Sequence, residues 1–498
     1  MDFIAPKTSR KFRDLDDFNL NINPKYFLMP FKFHHINTDI EVLVNETGDF
    51  LLVPSGTAKK VILRQIDKDN DEELYGDLIA NFFISETQIS PLIDVLATKY
   101  RTKKSFLDNF TTLHMFVISL RCEHTCHYCQ VSRVTQDKTK YDMQKIHIDK
   151  GIEVMMQSPN PNLTMEFQGG EPLLAFDKVQ YAVNKAKEQA IIHKKSMTYV
   201  ICTNLAVVEL EMLEFCKEND ILISTSLDGP EYLHNPNRPR PAKNSFELVK
   251  KGIELSREVL GFDRVSALMT TTNLSLQYPI EIIDTYLEFG FKNIFLRPIS
   301  PYGFAVHNEK KNKYETDKFI EFYKKGLDYI IDLNLNGTYL IEDYARIILT
   351  KMLTPFPIGY VDLNSPSGLI NNSIVFNYNG KVYASDESRM LAEMKDETFL
   401  LGDLLTSTYE EIFYGENSQK IAQYWSNESL AGCSDCAFQS YCGADPVHNH
   451  ATQGNMYGYR PTNTFCQRNM EVIRYIFERM HQDKKVEKIF RNWIARKR

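Results

Sequence analysis

The sequence lacks any run approaching the roughly 18 uninterrupted apolar residues of a membrane-spanning helix, which excludes a helical membrane protein. Its opening stretch, MDFIAPKTSRKFRDLDDF, has basic residues but no apolar core, so it does not read as a secretory signal. There is no internal repeat, no low-complexity tract and no excess of positive charge. The 58 Lys+Arg against 65 Asp+Glu give a formal charge of −7, which argues against bulk nucleic-acid binding. Cysteine is missing from the first 110 residues. What is present is ordinary for a globular protein: 43% hydrophobic and 25% charged residues, with 31 Phe and 26 Tyr to pack cores, which excludes a disordered chain. At about 150 residues per domain, 498 residues suggest roughly three domains. Cores of that size need no covalent staples, so a cross-linked secreted mini-domain is excluded. The expected compartment is a reducing cytoplasm, where clustered cysteines carry metal or redox chemistry.

Residues 1–110 read as a small α+β domain. The runs 40–44 and 50–53 are β-rich and flank the turn segment 45–49, which predicts a hairpin. A helical pattern covers 77–83. Asp67, Asp69 and Asp71 open like a calcium loop, but Glu72 stands at its sixth position and Leu78 at its twelfth, so a solvated acidic loop is expected. Residues 111–335 alternate strands with helices. The predicted strands are His114–Leu120, Thr164–Phe167, Thr198–Cys202, Ile221–Ser226, Val265–Thr270 and Asn293–Leu296. Helices are predicted at Ile146–Gln157, Lys178–Ala190, Leu210–Glu218, Phe246–Val259 and Ile280–Phe289. Repeated βα units predict a parallel sheet, and six strands suggest a partial barrel. In 336–498, Asn379-Gly380 predicts a hairpin with a type I′ turn. Val486, Ile489, Phe490, Trp493 and Ile494 form an apolar helical stripe among basic residues, expected to dock on the protein.

The nine cysteines are grouped. Cys122, Cys126 and Cys129 follow the first strand of the βα region. Three thiolates on so short a loop suit one soft metal centre, zinc or iron–sulfur. A structural zinc site takes four ligands, whereas three cysteines on a four-iron cluster leave one iron open. A thioredoxin-like pair fits neither the additional cysteine nor Tyr128. Cys433, Cys436, Cys442 and Cys466 supply four thiolates, enough to close a zinc or iron–sulfur site. Cys202 is expected to be a buried strand residue and Cys216 a helix core residue. His124 and His127 are expected to fill the first cysteine loop.

The pattern C-x-x-x-C-x-aromatic-C at the end of a first barrel strand resembles the signature of radical S-adenosylmethionine (SAM) enzymes. The resemblance implies a [4Fe–4S] cluster on Cys122, Cys126 and Cys129, SAM on its open iron, and a 5′-deoxyadenosyl radical that abstracts a hydrogen atom. Gly169-Gly170-Glu171-Pro172 resembles the family's GGEP motif and implies SAM contacts from Gly169, Gly170 and Glu171. Thr203, Asn204, Ser226 and Arg297, at the ends of later strands, stand where the family places ribose and carboxylate contacts.

The second group resembles the SPASM extension of enzymes that modify peptides and proteins. It departs from the full two-cluster pattern, because Ser385 and Pro446 stand where further cysteines are expected. One auxiliary [4Fe–4S] cluster is therefore implied, on Cys433, Cys436, Cys442 and Cys466. Asp386 stands where sulfatase-maturating relatives keep a catalytic Asp, which implies a base acting on a substrate radical.

Tyr26-Phe27-Leu28, Gln130-Val131-Ser132-Arg133, Ser226 to Pro230 running into His234-Asn235 and Asn237-Arg238-Pro239, and Tyr441 to Pro446 together resemble the B-type radical SAM maturases of the His-Xaa-Ser system. That resemblance implies modification of a partner peptide or protein with His-Xaa-Ser repeats, alongside a second radical SAM enzyme and a reducing electron donor. No membrane or nucleic-acid partner is expected. The N-terminal domain is expected either to recognise the peptide, through a strand edge, or to pack over the barrel. The alternatives are a sulfatase-type maturase forming formylglycine and a non-catalytic, zinc-stabilised binding protein.

Overall fold

Along Ile221–Ser226 the residues Ile221, Ile223 and Thr225 are buried, while Leu222, Ser224 and Ser226 are half-buried. This period of two is what a pleated strand imposes when one face meets helices and the other lines an interior space. Asn162–Gly169 repeats it, with Leu163, Met165 and Phe167 buried and Thr164, Glu166 and Gln168 on the more open face. The protein is described by a computed structural model covering residues 24–88, 91–108, 110–129, 136–303 and 314–495. The segment Gln130–Arg133 and the last three residues lie outside the described ones. The chain forms two compact units, Met1–Thr98 and Lys99–Arg498.

In the first unit, Ile40–Asn45 pairs antiparallel with both Phe31–His35 and Phe50–Pro54. The expected hairpin is present. Its turn is held by the Asn45 side chain, which accepts from the amides of Thr47 at 2.8 Å and Asp49 at 3.0 Å. The expected helical run at 77–83 stops short, because Glu72–Ala80 is followed by Phe82 at φ 64°, which turns Phe83 into a core with Tyr26, Leu43 and Leu78. The acidic loop folds on itself. Asp71 accepts from the Asp67 amide at 3.0 Å, and Asp67 pairs with Lys25 at 2.7 Å.

The second unit is built on an eight-stranded sheet. Its spatial order is Val265–Leu268, Ile221–Ser226, Ser196–Thr203, Asn162–Gly169, Leu113–Ser119, Ser373–Phe376, Lys381–Tyr383 and Leu400–Asp403. The first six are mutually parallel and the last two antiparallel. Helices Lys145–Met156, Phe176–His193, Leu210–Glu218, Ser245–Leu260 and Pro279–Glu288 fall where the apolar periodicity puts them. This is an α/β fold carrying a partial barrel.

The sixth barrel strand is shorter than expected. Only Asn293–Ile294 is extended, and it pairs with Ile341–Glu342 rather than with the fifth strand. The buried Glu342 carboxylate takes over beyond it, accepting from the Leu296 amide at 3.1 Å, and the Thr271 amide donates to the Arg297 carbonyl at 2.9 Å. A buried side chain thus satisfies backbone groups that a longer ladder would have used.

The hairpin at Asn379-Gly380 is present but not with a type I′ turn. Gly380 donates to the Asn377 carbonyl at 2.9 Å, and of the loop only Gly380 has positive φ, at 84°. That is a type I turn closed by a left-handed glycine, the three-residue hairpin solution. The C-terminal stripe docks as expected: helix Lys484–Ile494 buries Val486, Ile489, Phe490 and Trp493. No helix among the described residues is long and apolar enough to cross a membrane.

Candidate active site

The first cysteine loop leaves the central strand at Ser119, and its neighbours fix its path. Arg121 grips Asp142 with two hydrogen bonds, of 2.6 and 2.8 Å, and Ser119 donates to the same carboxylate at 2.7 Å. Gly170 and Glu171 donate from their amides to the carbonyls of Ser119 and Arg121, both at 2.7 Å. A Cβ on Gly169 would stand 2.0 Å from the Ser119 carbonyl oxygen, and one on Gly170 2.2 Å from that of Arg121. The two glycines are thus required by the chain's own backbone, which is zipped to the entrance of the cysteine loop at the place where sequence alone reserved room for SAM.

Glu171 is buried and occupied. It accepts from the Leu173 amide at 3.0 Å, the Thr203 hydroxyl at 2.6 Å and the Asn204 amide at 2.8 Å. Burial, with the nearby Glu123 carboxylate, pushes it up to about 7. It ties the second and third strands into one rim, from which the Asn204 side chain reaches Cys122 Sγ at 3.9 Å. The far side of the loop is held by Tyr128, which donates to Asp228 at 2.6 Å and accepts from Arg238 at 2.7 Å. Thr125 anchors to the Pro239 carbonyl through its amide at 2.8 Å and its hydroxyl at 2.9 Å. His124 is engaged at both ring nitrogens, with Glu123 at 2.9 Å and Ser245 at 2.7 Å, and His127 stacks edge-on against Tyr128. Both histidines fill the loop, as expected.

The three thiols are neighbours. Cys122 lies in the field of Cys126, and Cys126 in that of Cys129 and of the Arg238 cation. Burial, added to by Glu123, Glu171 and Cys126, pushes the Cys122 thiol far above its ordinary value, and burial pushes Cys126 up to about 12. Half-buried thiols that repel one another when ionised are the donor set that a polynuclear metal centre neutralises. The residues therefore fit an iron–sulfur cluster.

Inside the barrel, the open face of the strands is polar. Cys202 and Ser224 are opposite one another in register, and the Cys202 thiol stands between the Ser224 hydroxyl and the Glu166 carboxylate. Cys202 is therefore not the packing residue expected. It faces the interior, and its thiol is pushed well up by burial and by the Glu166 and Asp386 carboxylates. Cys216 is buried in its helix as expected. Ser226 ends the fourth strand on the same open face.

Asp386 is the first residue of helix Asp386–Glu393, whose start is fixed by a capping box between Ser385 and Ser388. Arg389 donates to it at 3.3 Å. Its charge acts on Glu166, Cys202 and Arg297, which places it at the mouth of the barrel. Burial opposes the charge on Arg297, but Tyr360, Glu387, Asp362 and Asp386 raise it above its ordinary value.

The second cysteine group gathers in another part of the same unit. Cys442 lies in the field of Cys466, Cys433 and Cys436, and burial with those neighbours pushes it up to about 12. Cys436 donates its amide to the Cys433 carbonyl at 3.0 Å, and Cys466 sits in the first turn of helix Thr464–Gln482, capped by Asn463. Four clustered thiols again fit a closed soft-metal site. Ser385 and Pro446 begin two helices and bring no thiol.

Sequence reasoning missed Glu166, Arg238 and the bond from Tyr128 to Asp228. The polar alternation along Thr164, Glu166 and Gln168 is the available signal for the first; Arg238 stands in the Asn237-Arg238-Pro239 segment of the resemblance, but nothing local ties it to Tyr128, 110 positions away.

The profile of the radical SAM superfamily matches residues 116–296. An uncharacterised protein of Methanothermobacter thermautotrophicus is 31% identical over 188 residues, 38% of this chain and 67% of its own length. A cysteine-type anaerobic sulfatase-maturating enzyme of Clostridium perfringens is 22% identical over 378 residues, 73% of this chain and 94% of its own. Among solved structures, anSMEcpe with bound AdoMet superposes with a TM-score of 0.61 at 20% identity, covering 76% of this chain and 99% of that one. That membership leaves the non-catalytic, zinc-stabilised reading without support. Matched across the strands that carry the first cysteine loop and its glycine rim, the chain belongs to the radical SAM superfamily and is an enzyme related to anaerobic sulfatase-maturating enzymes.

Proposed function

We propose that this chain is a peptide maturase of the His-Xaa-Ser type, holding one cluster on Cys122, Cys126 and Cys129 and one auxiliary cluster on Cys433, Cys436, Cys442 and Cys466. The observation that carries the maturase part of the reading is the position of Asp386, whose charge reaches Glu166 and Cys202 on the inner wall of the second and third barrel strands. When bound, the first cluster and SAM supply a hydrogen-abstracting 5′-deoxyadenosyl radical. The protein's part is to hold SAM between the backbone of the glycine rim at Gly169 and Gly170, which the buried Glu171 keeps in place, and the strand ends at Thr203, Asn204, Ser226 and Arg297. Asp386 takes the proton released as the substrate is oxidised. Cys433, Cys436, Cys442 and Cys466 would hold the auxiliary cluster, which would supply one-electron redox chemistry for that oxidation. Residues 1–110 recognise the peptide, 111–335 generate the radical, and 336–498 carry the auxiliary site.

The relatives named for sulfatase maturation support peptide or protein modification as the reaction class. The test is co-expression with a His-Xaa-Ser repeat peptide, with and without the second radical SAM enzyme of the system, followed by mass spectrometry. A defined mass change that depends on Cys126 is expected. A sulfatase peptide modified in its place would transfer the chain to the formylglycine class.

A further inference from the structure

The second cysteine group lies beside a clamped guanidinium. The stem of Arg460 rests on residue 432: a Cβ on Gly432 would stand 3.0 Å from Arg460 Cγ and 3.5 Å from its Cβ. Arg460 Nη2 donates to the Tyr457 carbonyl at 2.5 Å, and the Tyr457 hydroxyl accepts from the Ala431 amide at 3.2 Å. Both ends of the side chain are thus fixed to the segment that leads into Cys433. The Arg460 carbonyl accepts from the Asn463 amide at 3.2 Å, and the Asn463 side chain caps the Cys466 amide at 2.9 Å. One residue therefore joins the two stretches that bring Cys433 and Cys466 together.

The charge falls where this backbone puts it. Burial raises the Cys433 thiol to about 11 and raises Cys466 as well, and the Arg460 cation is the largest influence opposing that rise at both. Glu428 acts on Cys433 in the other direction, but its carboxylate is paired with Lys104. The other cation near these thiols, Lys351, turns to the backbone, donating to the carbonyls of Leu363 and of Cys442, the latter at 2.7 Å. Arg460 is different. Its Nε is buried and has no hydrogen-bond partner among the described residues. A guanidinium is permanently charged, and a buried N–H without an acceptor is costly, so an acceptor belongs beside it.

We propose that Arg460 Nε donates a hydrogen bond to a sulfur of the iron–sulfur centre held by Cys433, Cys436, Cys442 and Cys466, and so sets its midpoint potential. The inference rests on the reading that these four thiolates hold such a cluster. A donor to a cluster sulfur, like a nearby positive charge, favours the reduced and more negative form, so the potential rises. That suits a site of one-electron acceptance.

The test is pulsed electron paramagnetic resonance on the reduced, full-length holoenzyme carrying 15N-labelled arginine. Two signals are expected, and SAM perturbs the one from the first cluster, which identifies the other as auxiliary. The auxiliary signal should carry a 15N coupling that disappears in Arg460→Lys. Potentiometric titration should find the auxiliary midpoint lowered in Arg460→Met, which keeps an apolar stem on Gly432 and loses both charge and donor. The midpoint of the first cluster should not move. Two signals with no 15N coupling in the auxiliary one, or a coupling that survives in Arg460→Lys, overturn the assignment and leave the cluster in place. So does an unchanged auxiliary midpoint in Arg460→Met with its iron intact. A single signal with about four irons overturns the assignment together with the auxiliary cluster itself.

Discussion

Tyr128 and Asp228, 100 positions apart, share a hydrogen bond of 2.6 Å in a buried environment, with Arg238 donating to the same hydroxyl. The aromatic residue inside the cysteine motif is thereby a tether that fixes the loop to the fourth strand. Asp228 is raised by burial and held back by Arg238, so its charge depends on these partners. Tyr128→Phe removes a donor to a buried carboxylate, at a cost of about 1–3 kcal/mol. Its melting temperature should fall and iron at the first site should be retained less well, with the auxiliary site unaffected.

The glycine rim gives a sharper contrast. Gly170→Ala places a Cβ against backbone carbonyls at 2.2 and 2.6 Å, which no side-chain rotation relieves. The variant should lose about four of about eight irons, those of the first site. Gly76→Ala, with nothing within 4 Å of the new Cβ and a helical position, should stabilise its unit by roughly 0.5–1 kcal/mol. Iron analysis and thermal melts decide both.

Much of this was legible in the sequence. Helix Leu210–Glu218 and strand Ile221–Ser226 occur where local periodicity puts them, because each buries one face and the pattern repeats over several turns or pleats. Three thiols on one loop are close because eight residues cannot spread far. What was not legible depends on distance along the chain. Arg238 meets Tyr128, Glu342 replaces a strand partner for Leu296, and Cys202 turns inward beside Asp386, each through contacts that no local pattern encodes. The turn at Gly380 shows the complementary limit: Asn-Gly indicated a hairpin, but the register of Asn377 with Lys381 selected a three-residue loop.

Glu342 supplies a pH dependence. Burial raises it to about 7, against hydrogen bonds from Tyr323 at 2.6 Å and the amides of Ala345 and Leu296. The folded state therefore holds this proton to higher pH than the unfolded state does, and the group's contribution to stability decreases as pH rises from about 4.5 to about 7. Tyr323→Phe removes a donor that favours the carboxylate. Its destabilisation should be about 1 kcal/mol at pH 5 and nearer 2 kcal/mol at pH 8, read as the difference between melting temperatures at the two pH values.

Asp386→Asn separates radical generation from substrate oxidation. Arg389 remains able to donate to the amide oxygen, and Ser385 and Ser388 still start the helix. The variant should keep its iron and cleave SAM while peptide modification falls roughly a hundredfold or more. Unchanged peptide turnover with intact clusters would remove the base role from Asp386.

The central claim is that the two cysteine groups do different work, three ligands opening a cluster to SAM and four closing another. The most direct measurement is anaerobic iron analysis paired with reductive SAM cleavage, in the wild type and in Cys126→Ala. The account predicts about eight irons with release of 5′-deoxyadenosine in the wild type, and about four irons with no cleavage in the variant. Stoichiometric zinc without iron, or cleavage that survives the loss of Cys126, would contradict it.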